Sequence, residues 1–223
     1  NLSYQAATSG SGQTLAETFF HRNNQSKNRN MPCPHRFKNQ LIPEWEIEHL
    51  FIGTFNPSWN LNNAVQADYF YGRIRNNFWC ILPIIFGGEN LKYQELSVKL
   101  NYIERNKIGI TDLIKVVQNA EIQNQVDVIN LTTRFSDNVL NNYQLEFNVE
   151  NIKKLILKNI KTIKGVYLTR STLNGINQIA NSWTEIEKFC EENNIHTEKL
   201  KTPANYGGGC LLKSEDWRNK ILL

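Results

Sequence analysis

Two short apolar runs most constrain what this chain can fold into: "EHLFIGTF" at 48–55 and "KGVYLT" at 164–169. Each has the length and composition of a buried strand and ends in polar or turn-forming residues. Between and after them the apolar period changes to that of helices. Val149, Ile152, Leu155, Ile156 and Ile160 predict an amphipathic helix. Leu173, Ile176, Ile179 and Ala180 predict another, and Ser182 with Glu185 fits a capping box that opens a third. "KIGITDLI" at 107–114 reads as a strand or tight apolar crossing, and "IHTEKLKT" at 195–202 as a last strand. Asn77–Phe86 has helical spacing, is stopped by Gly87-Gly88, and should be kinked or shortened by Pro83. Residues 92–105 predict a helix, 115–147 give no clear pattern, and a final helix is expected to be capped by Ser214. Strands alternating with helices imply an α/β domain with a mainly parallel sheet. Such sheets bind ligands beyond the carboxyl ends of their strands, where the loops at 53–60 and 202–212 would both lie.

The chain has 223 residues, 40% hydrophobic and 21% charged, which suits one soluble domain of ordinary size. Residues 1–30 are polar and read as a flexible lead or an expression remnant, leaving 31–223 as a single domain. No apolar run is long enough for a membrane span, and the expected setting is cytoplasmic, nucleoid-associated in a prokaryote. The net charge of +4 arises within residues 1–40, where Arg22, Lys27, Arg29, Arg36 and Lys38 face Glu17 alone. The remainder is balanced, so a nucleic-acid partner must be argued from local placement. Arg73 with Arg75 is one such grouping, with surface solvation as its plain alternative. The lysines between 153 and 164 read as the wet face of a helix. Cys33, Cys80, Cys190 and Cys210 stand far apart without metal-site spacing and read as reduced thiols. No metal or cofactor is expected. "CPHRF" at 33–37 reads as a turn delivering Phe37 to a surface, with a metal corner as the less favoured reading. The four histidines show no partner pattern.

Three stretches carry candidate chemistry. In "FIGTFNPSWN", 51–60, Asn56 follows a strand and Pro57 restricts it to an extended conformation. Its amide either bonds its own turn or projects into a pocket to hold a base or a water. In "YFYGRIRNNFW", 69–79, Phe78 and Trp79 read as core. Tyr71, outside any clear helix and beside two arginines, suits a stacked nucleobase with a phosphate path. In "PANYGGGCLLK", 203–213, the glycine run lets backbone amides approach phosphate closely. Leu211 and Leu212 read either as core or as a wedge for a base stack.

Taken in order, these segments resemble the uracil-DNA glycosylase superfamily, nearest its mismatch-specific (thymine/uracil) and hypoxanthine branches, over roughly residues 41–222. "GTFNPS" resembles the first active-site motif. "FYGRIRNNFW" resembles the aromatic–His-Pro-x-Asn-x-Phe-Trp segment. "KIGITDLI" resembles the Gly-Ile-x-x-x-Asp strand. "LKTPANYGGGC" with "WRNKIL" resembles the closing Ser-Pro-Ala-Asn loop and terminal helix. The resemblance implies a three-layer α/β/α sandwich around a short, mainly parallel sheet. It also implies hydrolysis of the N-glycosidic bond of a flipped-out uracil, hypoxanthine or mismatched base in DNA, with a monomer favoured. Carried over by position, Asn56 holds the attacking water and Asn76 is its catalytic companion. Gly53, Phe55, Tyr71 and Asn76 bind the base. Pro203, Ala204 and Asn205 match the loop that presses on the strand, and Arg73, Arg75, Gly207, Gly208 and Leu211, read from their own chemistry, are the further expected DNA contacts. The chain departs from the pattern at Arg73-Ile74, where the family has His-Pro. The last loop has no His before Pro203, where Thr202 stands, and the first motif has Asn56 without an Asp, which implies slow turnover. Two alternatives follow from these departures: a catalytically idle DNA-binding module of the same fold, and a glycosylase for an unusual modified base in defence.

Overall fold

The structure, a computed structural model, describes residues 31–59, 67–133, 135–205 and 208–221. The polar lead at 1–30 and Gly207 lie outside the described residues. The elements in chain order are β1 (Cys33–Pro34), β2 (His49–Gly53), α1 (Phe78–Phe86), α2 (Leu96–Arg105), β3 (Ile108–Asp112), β4 (Ile114–Val117), α3 (Gln125–Leu131), β5 (Leu145–Phe147), α4 (Val149–Lys158), β6 (Gly165–Leu168), α5 (Asn177–Glu192), β7 (His196–Lys199) and α6 (Cys210–Arg218).

Strands β3, β2, β6 and β7 form one parallel sheet in that order. Every residue of β2, β3 and β6 is buried, as expected for strands covered on both faces. Successive side chains on a strand point to opposite faces, and the two cores follow that period. Phe51 and Tyr167 face α1, α2 and α6, packing with Phe78, Trp79, Ile103 and Trp217. Leu50, Ile52, Val166 and Leu168 face α4 and α5, packing with Ile152, Ile156, Trp183 and Ile186. Each such large side chain contributes about 1.5–3 kcal/mol by burial. The result is the three-layer α/β/α arrangement. A small antiparallel sheet, β1-β4-β5, lies beside it.

Several local expectations are corrected. Pro83 does not end α1, which continues through it to Phe86. Proline removes the N–H that would bond the carbonyl four residues earlier, and the Trp79 carbonyl accepts instead from the Leu91 N–H at 3.1 Å. Ser182 opens no helix; it lies inside α5, where its hydroxyl donates back to the Gln178 carbonyl. Ser214 is likewise interior to α6, which starts at Cys210 after Gly209, and its hydroxyl donates to the Leu211 carbonyl. Ile160 lies beyond the end of α4 and is exposed. Phe37 is buried rather than delivered to a surface, because the turn folds inward against Tyr69 and Phe70.

The cysteines are not all reduced thiols. Cys80 in α1 and Cys210 at the start of α6 form a disulfide, with Cα atoms 6.0 Å apart. Their 130-residue separation hides the pairing in the sequence. Cys33 and Cys190 are buried free thiols, and burial pushes Cys190 up to about 12. Among the described residues, no helix is long and apolar enough to cross a membrane.

Candidate active site

The carboxyl ends of the parallel strands open onto one cavity of about 190 Å³. At roughly 30 Å³ per water this equals about six waters, the scale of one heterocyclic base. Each strand contributes to its wall: Gly53 ends β2, Asp112 ends β3, Thr169 follows β6, and Thr202, Pro203 and Ala204 follow β7.

The first wall is built from two turns that hold each other. The Arg36 N–H donates to the Asn56 carbonyl at 2.8 Å, and the Ser58 N–H donates to the Pro34 carbonyl at 3.0 Å. This zipper brings the turn at 33–37 against Asn56-Pro57. Asn56 Nδ2 then donates to Asp112 Oδ2 at 2.7 Å, and His35 Nε2 meets the same oxygen at 2.8 Å. Asp112 and His35 are each 1% exposed. The amide of Asn56 is therefore not spent on its own turn. With one Nδ2 hydrogen given to Asp112, its Oδ1 acceptor is the natural seat for a water or ligand.

The second wall carries the ring. Tyr71 stacks on Phe78 with centroids 4.2 Å apart and planes at 13°. Its backbone lies in the left-handed region, φ 56°, which disfavours a side-chain-bearing residue by about 1–2 kcal/mol. Stacking and a hydroxyl chain hold it there: Tyr71 OH meets Thr169 Oγ1 at 2.8 Å, and that hydroxyl donates to the Ile52 carbonyl at 3.2 Å. Burial, reinforced by the nearby Asp112, pushes the phenol well above its ordinary value. Tyr71 is thus a neutral, oriented platform.

The third wall joins residues far apart in sequence. Asn76 pairs with Ala204 in an isolated bridge, and the Asn77 N–H donates to the Pro203 carbonyl at 2.7 Å. The Phe78 N–H donates to Asn76 Oδ1 at 2.9 Å, which fixes the amide and leaves its NH₂ as the available donor. Helix α6 braces the loop: Trp217 Nε1 donates to the Lys201 carbonyl at 2.8 Å, and the buried Lys213 ammonium bonds the Ala204 carbonyl. Opposite stands a charged group that the sequence did not reveal. Asp137 accepts from Thr54 Oγ1 at 2.6 Å and pairs with the Arg170 guanidinium.

Of the expected site residues, Gly53, Phe55, Asn56, Tyr71, Arg73, Asn76, Pro203 and Ala204 line this cavity together. Arg75, Asn205, Gly208 and Leu211 do not. Arg75 and Asn205 are exposed, and Leu211, 71% exposed with Leu212 beside it, stands on the surface at the start of α6. Leu211 and Leu212 are therefore not ordinary core. The sequence reading missed His35, Asp112, Asp137, Thr169 and Arg170. Asp112 lies within the "KIGITDLI" segment and could have been taken from it. Comparison with protein-family models, with curated proteins and with solved structures finds no match for this chain.

Proposed function

We propose that the chain is a monofunctional DNA glycosylase-like hydrolase acting on an altered base, of uracil, hypoxanthine or mismatch type, extruded from DNA. The observation that carries this reading is the convergence of Asn56, Tyr71, Asn76 and Ala204 on one base-sized cavity with the Asp112 carboxylate at its wall. The extruded base stacks on Tyr71, and the Asn76 NH₂ donates to it as it leaves. A water is held between Asn56 Oδ1 and Asp112. The C1′–N bond breaks with its electron pair going to the base, the sugar becomes cation-like, and the water oxygen bonds to C1′ while its proton passes to Asp112. The base leaves as an anion and takes up the proton that Asp112 then gives back by way of solvent, so the products are the neutral free base and an abasic sugar, with the carboxylate restored. The buried carboxylate favours the cationic sugar electrostatically. Asp112 thus supplies, from the neighbouring strand, the carboxylate that the first motif lacks. Base excision repair is the process such an activity serves.

The test is incubation with oligonucleotides that each carry one altered base, followed by hot alkali. Strand breaks at one or more altered bases are expected. Their absence across the panel overturns the reading, and salt-sensitive retention of DNA without product points to an idle binding module instead.

A further inference from the structure

His35 is the least expected member of the site. It is 1% exposed and does not line the cavity. Its ring stacks on Phe70 with centroids 5.5 Å apart and meets the edges of Phe37 and Phe55. Core filling alone would be served by a phenyl ring. Two hydrogen bonds say more. The Phe37 N–H donates to Nδ1 at 2.9 Å, so Nδ1 carries no proton. The ring is then neutral with its proton on Nε2, which donates to Asp112 Oδ2 at 2.8 Å. The contact is a hydrogen bond to a carboxylate rather than an ion pair.

We propose that His35 is a positioning residue that sets the orientation of the Asp112 carboxylate for the reaction, an inference that rests on the glycosylase reading. Among the described residues, Asp112 Oδ2 takes two donors, one from His35 and one from Asn56. That pair fixes the rotation of the carboxylate and leaves Oδ1 over Gly53 and beside the Tyr71 hydroxyl, where the water must be met. Removing the His35 donor loosens the carboxylate, and small misplacements of a reacting group can cost about 10²-fold in rate. His35 itself exchanges no proton with substrate, because the backbone of Phe37 holds its tautomer.

The experiment compares His35→Leu, which fills the space without a donor, with His35→Gln, which restores an N–H toward Asp112. In single turnover with enzyme in excess, His35→Leu should lower the maximal base-release rate by about 10²-fold with DNA affinity unchanged, and His35→Gln should recover about tenfold of that loss. Equal rates in the two variants, or a loss confined to DNA affinity, would overturn the proposal. Nitrogen-15 NMR of the wild type reads the same claim without activity: Nε2 protonated and Nδ1 bare is expected, and a proton on Nδ1 overturns it. Carbon-13 NMR of the Asp112 carboxyl should change in His35→Leu and return toward wild type in His35→Gln; no change in either overturns it. If no oligonucleotide is cleaved, the glycosylase reading fails while these spectra still judge the His35–Asp112 coupling.

Discussion

Gly53 and Asp112 are register partners at the ends of β2 and β3, and the Asp112 carboxylate occupies the space a side chain at position 53 would need. A Cβ on Gly53 would stand 2.2 Å from Asp112 Oδ1 and 2.6 Å from the Tyr71 hydroxyl. Neither group is free to yield: one is tied to His35 and Asn56, the other to Thr169. Gly53→Ala should therefore dislodge the carboxylate and the ring together. The expected outcome is a loss of about 10²-fold in base release and about 1–3 kcal/mol of stability from overpacking. Single-turnover kinetics and chemical denaturation check both; wild-type rates would contradict the placement of Asp112.

His49 predicts the acid limb of stability. It is 3% exposed between Phe86 and Tyr167, and no hydrogen-bond partner occurs for its Nδ1 among the described residues. Burial, with a smaller push from Lys164, lowers it from 6.5 to about 4. The unfolded chain therefore binds more protons than the folded one between those values, so stability rises with pH across that window. The contribution is complete above about pH 6.5 and is lost as pH falls toward 4, to a total of about 3 kcal/mol. Urea midpoints from pH 7.5 to 4 should show this slope, and His49→Phe should flatten it.

The disulfide between Cys80 and Cys210 ties α1 to the start of α6, next to the loop that forms the third wall. A native disulfide closing a long loop contributes about 2–4 kcal/mol. Reductant should lower Tm by roughly 6–12 °C for a domain of this size. Melts of Cys80→Ser/Cys210→Ser should be the same with and without reductant. Identical wild-type melts under both conditions would contradict a stabilising bond.

The parallel sheet was legible because β2, β3 and β6 are short and apolar and stand between stretches of helical period. Asn56, Tyr71, Asn76 and Ala204 were legible because they stand in local motifs with a definite order. Local signals misled where a long-range partner decided the outcome. Pro83 is tolerated because Leu91 takes up the carbonyl it frees, and Cys80 finds Cys210 only in three dimensions. Asp137 arrives from a stretch without periodicity, on a short 3-10 turn at Asp137–Asn142, and its meaning comes from Thr54 and Arg170. His35 was read as part of a turn. The role proposed for it comes from its hydrogen bond to Asp112, 77 residues away, a relation that no spacing rule encodes.

Arg73 lines the cavity at its rim with part of its side chain exposed, and partial desolvation, with a smaller push from Arg36, lowers its hold on its proton. Ile74 and Arg75 beside it are exposed. Because the rest of the domain is balanced in charge, DNA attraction should concentrate here. Arg73→Ala should weaken binding of all sequences alike and reduce the salt slope of affinity by about one phosphate contact. Fluorescence anisotropy across salt concentrations measures it, and an unchanged slope would place the phosphate path elsewhere.

In the proposed reaction Asn56 and Asp112 together activate a water against an extruded base. The most direct test is single-turnover base release from the altered-base oligonucleotide that the wild type cleaves best, with Asn56→Ala and Asp112→Asn alongside. Each variant should lose about 10²–10⁴-fold in rate with DNA affinity retained. Rates equal to wild type in both variants would contradict the claim.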